Sequence, residues 1–82
     1  MKIEVKFVCP EVVGAMRSGV YEIEEGKTIR DLLAVCEREN GIVVDPAHYQ
    51  WMSLMKNGVA ATLDTPLDGA KSVYFLKVVH GG

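Results

Sequence analysis

The sequence predicts an α+β fold in which one main helix covers one face of a mixed sheet of four to five strands. Three observations carry this expectation. The segment from Lys2 to Val8 alternates apolar with charged residues, the mark of a half-buried strand. The stretch from Thr28 to Gly41 repeats its apolar residues at helical spacing between a start and a stop signal. Asn57-Gly58 stands between two apolar-rich runs, and that dipeptide is the strongest two-residue hairpin signal.

Taken in order, KIEVKFV at 2–8 sets Ile3, Val5 and Phe7 on one face and Lys2, Glu4 and Lys6 on the other. CPEVVGAMRSG at 9–19 reads as a loop, broken by Pro10, Gly14 and Gly19. VYEIE at 20–24 is a second strand with Tyr21 and Ile23 on one face, followed by a turn at Glu25-Gly26. Thr28 is a good helix N-cap, and Asp31 three residues later completes the pattern of a capping box. Ile29, Leu32, Leu33 and Cys36 then share one helix face, with Arg30, Glu37 and Arg38 on the solvent side. Asn40-Gly41 supplies a left-handed stop. Pro46, after Asp45 as cap, opens a short helical segment. WMSLMKNGVAA at 51–61 is a hairpin, TLDTPLDG at 62–69 a turn with one short 3₁₀ segment, and SVYFLKVV at 72–79 the last strand, rich in β-branched and aromatic residues. With two strands before the helix and the others after it, the first and last strands belong at the sheet centre, parallel to one another. That is the β-grasp arrangement.

Composition bounds what such a domain can do. The chain has 82 residues, 49% hydrophobic and 24% charged, with a net charge of −2. It is one small domain, burying about 60 to 65% of its unfolded surface. A balance this close to neutral offers no basic field for nucleic acid, no apolar run reaches the length of a membrane span, and the first residues do not resemble a signal peptide; a cytoplasmic location is expected. Cys9 and Cys36 form no CxxC pair, so no disulfide framework is expected. Cys36 falls on the apolar helix face as a core residue, and nothing beside Cys9 in sequence would lower its pKa. His48 and His80 stand apart without further ligands, so no metal site is expected.

The last five residues, VVHGG, raise the functional question. Paired glycines pack nothing and cost most to order. One reading is a frayed end; the other is that the carboxylate of Gly82 is the reactive group. The wider pattern favours the second. EGKTIRDLLAVCERENG, KNGVAATLDTPLDG and VYFLKVVHGG, in that order and spacing, resemble the turn-into-helix, the hairpin with its leucine-containing turn, and the last strand with diglycine tail of the ubiquitin-like sulfur carriers, the MoaD/ThiS family. The resemblance covers nearly the whole chain. The long loop between the first two strands favours the MoaD branch, the small subunit of molybdopterin synthase. Lys71, in DGAKS, and Lys77-Val78 depart from that branch's acidic residue and proline pair.

What the resemblance implies is a carrier with no catalytic residues of its own and no bound cofactor. An adenylating enzyme of the MoeB/ThiF type would use ATP to activate Gly82, a sulfur donor would convert the adenylate to a thiocarboxylate, and a MoaE-type large subunit would receive the sulfur. The tail, 79–82, is expected to be flexible, and its four residues reach roughly 14 Å. Gly81 and Gly82 lack Cβ atoms and let the backbone approach a nucleotide closely, while His80 contacts partner or solvent. On the last strand Val73 and Phe75 suit the core, which leaves Tyr74, Leu76 and Val78 on the open face as a candidate partner surface. The alternatives are a protein modifier joined through Gly82 to lysines, a thiamin-type or other metabolite sulfur carrier, and a plain binding module.

Overall fold

A computed structural model of the protein describes residues 1–8 and 15–77. Among these, five strands form one mixed sheet: β1 (Lys2–Val8), β2 (Gly19–Glu22), β3 (Met52–Lys56), β4 (Val59–Ala61) and β5 (Ser72–Lys77), in the order β2-β1-β5-β3-β4. β1 and β5 run parallel at the centre, in register from Glu4 opposite Ser72 to Val8 opposite Leu76. All other pairings are antiparallel. This is the β-grasp arrangement.

The helix α1 (Ile29–Asn40) forms where its signals stand. Thr28 accepts from the backbone of Asp31, and Asp31 accepts from the backbone N–H of Thr28 at 2.9 Å, so two orphan donors of the first turn are satisfied reciprocally. Two further donors go to the 62–67 segment: Ile29 N–H to Thr65 O at 3.0 Å and Arg30 N–H to Leu63 O at 2.8 Å. Gly41 ends the helix at φ 64°, the left-handed conformation that costs glycine least. Its buried face is Ile29, Leu32, Leu33 and Cys36. These join Ile3, Val5, Tyr21, Leu54, Val73 and Phe75 from the strands in one core, and the Phe7 and Phe75 rings stack at 4.9 Å.

Several elements differ from expectation. β2 stops at Glu22 rather than at residue 24, although Ile23 stays buried and exchanges backbone hydrogen bonds with Met1 at 2.9 and 2.7 Å. Residues 62–69 form turns and one isolated bridge, Thr28 with Pro66, and no 3₁₀ segment; the i→i+3 bonds there, Thr65 N–H to Thr62 O at 3.1 Å and Ala70 N–H to Leu67 O at 2.9 Å, close single turns, while the Leu63 and Thr65 carbonyls accept from the helix start. The short segment Pro46–Trp51 is 3₁₀, with the Asp45 side chain accepting from Ala47 N–H at 2.9 Å. Glu37, expected on the solvent side, is half-buried and accepts from Val44 N–H at 2.6 Å, tying the chain after the helix back to it. Cys9 and the expected 79–82 tail lie outside the described residues.

Two outcomes follow for stability. Leu32→Ala empties a fully buried position and should cost about 2 to 5 kcal/mol, whereas exposed Arg38→Ala should cost about 0 to 1 kcal/mol; a denaturant series giving the reverse order would displace the helix face. The Asp31 carboxyl is held below its ordinary value of 3.8, first by the Thr28 backbone N–H, then by the Thr28 hydroxyl and the Lys27 and Arg30 charges. The group is more acidic folded than unfolded, so its contribution is complete above about pH 4 and is lost as pH falls through the folded value. Asp31→Asn should therefore flatten the acid limb of a stability-against-pH curve and leave its slope above neutrality unchanged.

Candidate functional site

The parallel pairing decides where the candidate surface lies. Because β1 and β5 point the same way, both end at one edge of the sheet, and the chain leaves β5 after Lys77 beside Val8. On the core side of β5, Val73 and Phe75 are fully buried. Tyr74 and Leu76 project from the opposite, open face and are half-buried. Val78, His80, Gly81 and Gly82, the remaining site residues expected from sequence, lie outside the described residues.

Cross-strand register extends the surface beyond the two expected side chains. Leu76 is flanked by Val8 on β1 and Ser53 on β3, and Tyr74 by Lys6 and Met55. Met55 in turn faces Ala60 on β4. Val8 is 47% exposed, so Val8, Leu76, Tyr74, Met55 and Ala60 make an apolar band across the end of the sheet where β5 finishes. The Lys6 ammonium lies 5.8 Å from the centre of the Tyr74 ring, a cation–π contact that fixes the phenol against the strand. Val8, Met55 and Lys6 were not anticipated as site residues. Period two along β1 already puts Val8 on the Lys6 face, but only the β1–β5 register sets it beside Leu76.

The described residues hold little chemistry of their own. Cys36 is fully buried, and desolvation, with Glu39 and Glu37 nearby, pushes its thiol up to about 12. Burial likewise raises Tyr49, with Glu37 adding to the effect. No group of three His, Cys, Asp or Glu side chains suited to a metal ion occurs among the described residues, and no helix there is long and apolar enough to cross a membrane. The surface grooves are open clefts. One, between β2 and the helix, is lined by Met1, Ile23, Lys27, Val35 and Arg38; another, beside Met52 and Leu63, reaches Leu76 and Lys77. The arrangement suits contact with another macromolecule better than enclosure of a small substrate.

Comparison with solved structures agrees with the fold. The chain is similar to SAMP1 from Haloferax volcanii, with a TM-score of 0.68 at 18% identity over 100% of each chain. The fold is therefore β-grasp of the ubiquitin-like kind. No protein-family model matches the sequence, and no curated protein matches it.

The placement of Cys36 has a direct readout. In the folded protein it should resist a thiol reagent at pH 8, because the reactive thiolate is suppressed and the sulfur is enclosed; it should react promptly once urea unfolds the chain. Mass mapping that finds Cys36 labelled at equal rates in both conditions would contradict the packing.

Proposed function

We propose that the protein is a ubiquitin-like sulfur carrier whose Gly82 carboxyl is activated by adenylation and converted to a thiocarboxylate. The observation that carries the reading is the exit of β5. The central strand ends beside an exposed apolar band, and in the sequence the diglycine pair follows Lys77 by only four and five residues. A partner can hold the band while the short glycine arm enters its active site.

The chemistry this requires is economical for the carrier. A carboxylate is a poor electrophile near neutral pH. Attack of the Gly82 carboxylate oxygen on the α-phosphorus of ATP, inside an adenylating enzyme of the MoeB/ThiF type, expels pyrophosphate and leaves an acyl-adenylate. Hydrosulfide then attacks the carbonyl carbon and AMP departs, leaving the thiocarboxylate; a donor that delivers its sulfur as a persulfide first leaves an acyl disulfide, which a thiol cleaves to the thiocarboxylate and a disulfide. The carrier supplies the acyl group, a narrow arm and a docking face; Gly81 and Gly82 admit close backbone approach, and His80 contacts the partner or solvent. Tyr74, Leu76 and Val78 belong to the docking face, to which Val8 and Met55 are added. The motif resemblance favours molybdopterin-type synthesis with a MoaE-type large subunit as sulfur acceptor, in the cytoplasm.

A second reading has its own support. The ubiquitin-like fold shared with SAMP1 suits a protein modifier equally, and a modifier uses the same adenylation before its terminal carboxyl is joined to lysines of other proteins. The two readings part after activation.

Intact-mass measurement separates them. With an adenylating enzyme, ATP and a sulfur donor, the chain should gain the mass of one oxygen-to-sulfur exchange at Gly82. Isopeptide conjugates to lysines in a lysate would favour the modifier, and an unchanged mass with several such enzymes would overturn both. Deleting Gly81 and Gly82 should leave thermal stability nearly unchanged but abolish ATP–pyrophosphate exchange, because the carboxylate then stands about 7 Å short of its station. Leu76→Ala should raise the carrier concentration needed for half-maximal exchange without altering the exchange rate at saturation.

A further inference from the structure

The Asn57-Gly58 tip of the β3–β4 hairpin carries an arrangement that the docking face does not use. Its φ values are 50° and 79°, the left-handed pair of a type I′ turn. Asn57 is also tied to the stretch that feeds β5. Its backbone N–H donates to Ser72 O at 2.9 Å. Its Oδ1 accepts from Lys71 N–H at 2.8 Å and from Ser72 N–H at 3.1 Å, and its Nδ2 donates to Gly69 O at 3.0 Å. Donor and acceptor ends of one amide are thus both engaged, across a gap of twelve to fifteen residues in the chain.

The same dipeptide is chemically labile. Glycine after asparagine puts no Cβ in the way of its own peptide nitrogen. When the Gly58 nitrogen loses its proton it can bond to Cγ of Asn57; the Cγ–Nδ2 bond breaks, ammonia leaves with the proton, and a five-membered imide remains. Water then opens the imide at either carbonyl, giving an aspartate or an isoaspartyl linkage with one extra methylene in the main chain.

We propose that Asn57 is a latched modification site, whose hydrogen bonds to residues 69–72 hold it out of imide geometry and whose conversion permanently releases the start of β5. Ring closure requires rotation about the Asn57 Cα–C bond, away from the type I′ turn, and rotation of the side chain from residues 69–72 toward the Gly58 nitrogen. The first rotation opens the type I′ turn and the second breaks the side-chain latch, so the reaction proceeds only from the open, unlatched turn. After conversion to aspartate, a carboxylate oxygen stands where Nδ2 stood and faces the Gly69 carbonyl, acceptor against acceptor. The isoaspartyl product lengthens the turn itself. In either case the strand affected is β5, where buried Val73 follows Ser72 directly.

The test uses the whole chain at mildly alkaline pH, folded and in urea, with chromatographic separation of the asparagine, aspartyl and isoaspartyl peptides. Three hydrogen bonds of ordinary net strength should slow conversion in the folded protein on the order of a hundredfold. Amide hydrogen exchange on the separated isoaspartyl protein should then show faster exchange at Lys71 and Ser72. Asn57→Gly keeps a residue that tolerates the left-handed turn and removes only the side-chain latch, and it should speed exchange at the same two amides. Equal conversion rates in buffer and urea would overturn the proposal, as would unchanged exchange at Lys71 and Ser72 in the isoaspartyl protein. The rate comparison stands on the unmodified chain, so it decides the matter even if Asn57→Gly does not fold.

Discussion

The parallel pairing of β1 with β5 is the constraint around which the fold is arranged. Parallel neighbours cannot be joined by a tight turn; the chain between them must cross from one end of the sheet to the other. Here that connection contains every other element. β2 extends the sheet beyond β1, β3 and β4 extend it beyond β5, and the helix closes the face on which Val5 pairs with Val73 and Phe7 stacks on Phe75. The apolar area buried on this one face supplies the driving force. The other face, relieved of core duty, is free to carry Tyr74, Leu76 and Val8. Parallel direction also brings the ends of β1 and β5 together, so the apolar band and the departure of the chain from β5 share one end of the sheet.

A small core leaves little margin for unpaired polar groups, and short polar side chains do much of the matching. Asn40 is an example at the helix end: Nδ2 donates to Cys36 O and to the Tyr21 hydroxyl, each at 2.8 Å, while Oδ1 accepts from Arg17 N–H at 3.1 Å. The Tyr21 hydroxyl donates to Arg17 O, so a fully buried phenol is satisfied and the returning end of the first loop is pinned to the helix. Glu37 performs the same service for Val44, and the 62–67 segment for the first helical turn. Among the described residues no buried side-chain nitrogen or oxygen lacks a partner.

This division of labour bears on the proposed carrier role. A carrier that docks into successive partners gains from a surface that does not rearrange, and the Tyr74–Leu76 band sits on strands, which hold side chains more rigidly than loops. In that proposed role the chemical step falls to the partner. Cys36, the one thiol among the described residues, sits in the core where it cannot compete for an activated acyl group.

How far the sequence reached is clearest element by element. The helix was legible to the residue because its signals are local: Thr28 and Asp31 cap it, Gly41 stops it, and the spacing of Ile29, Leu32, Leu33 and Cys36 is a property of one segment. The strand faces of Ile3, Val5, Val73 and Phe75 followed from period two for the same reason, as did the turn at Asn57-Gly58. The candidate tail was legible only as composition and resemblance. The 62–69 segment was misjudged because its backbone bonds to the helix start, which no local pattern records. Val8 and Met55 were missed as neighbours of Leu76 and Tyr74, and the Asn57 latch as a tie to residues 69–72, because register between distant strands and the path of an irregular loop are set by packing of the whole sheet. The main helix, the strand faces and the hairpin turn are written into the local sequence, since each depends on residues a few positions apart. What those faces meet is set by the folded sheet, since contacts between residues far apart in the chain exist once the core has closed.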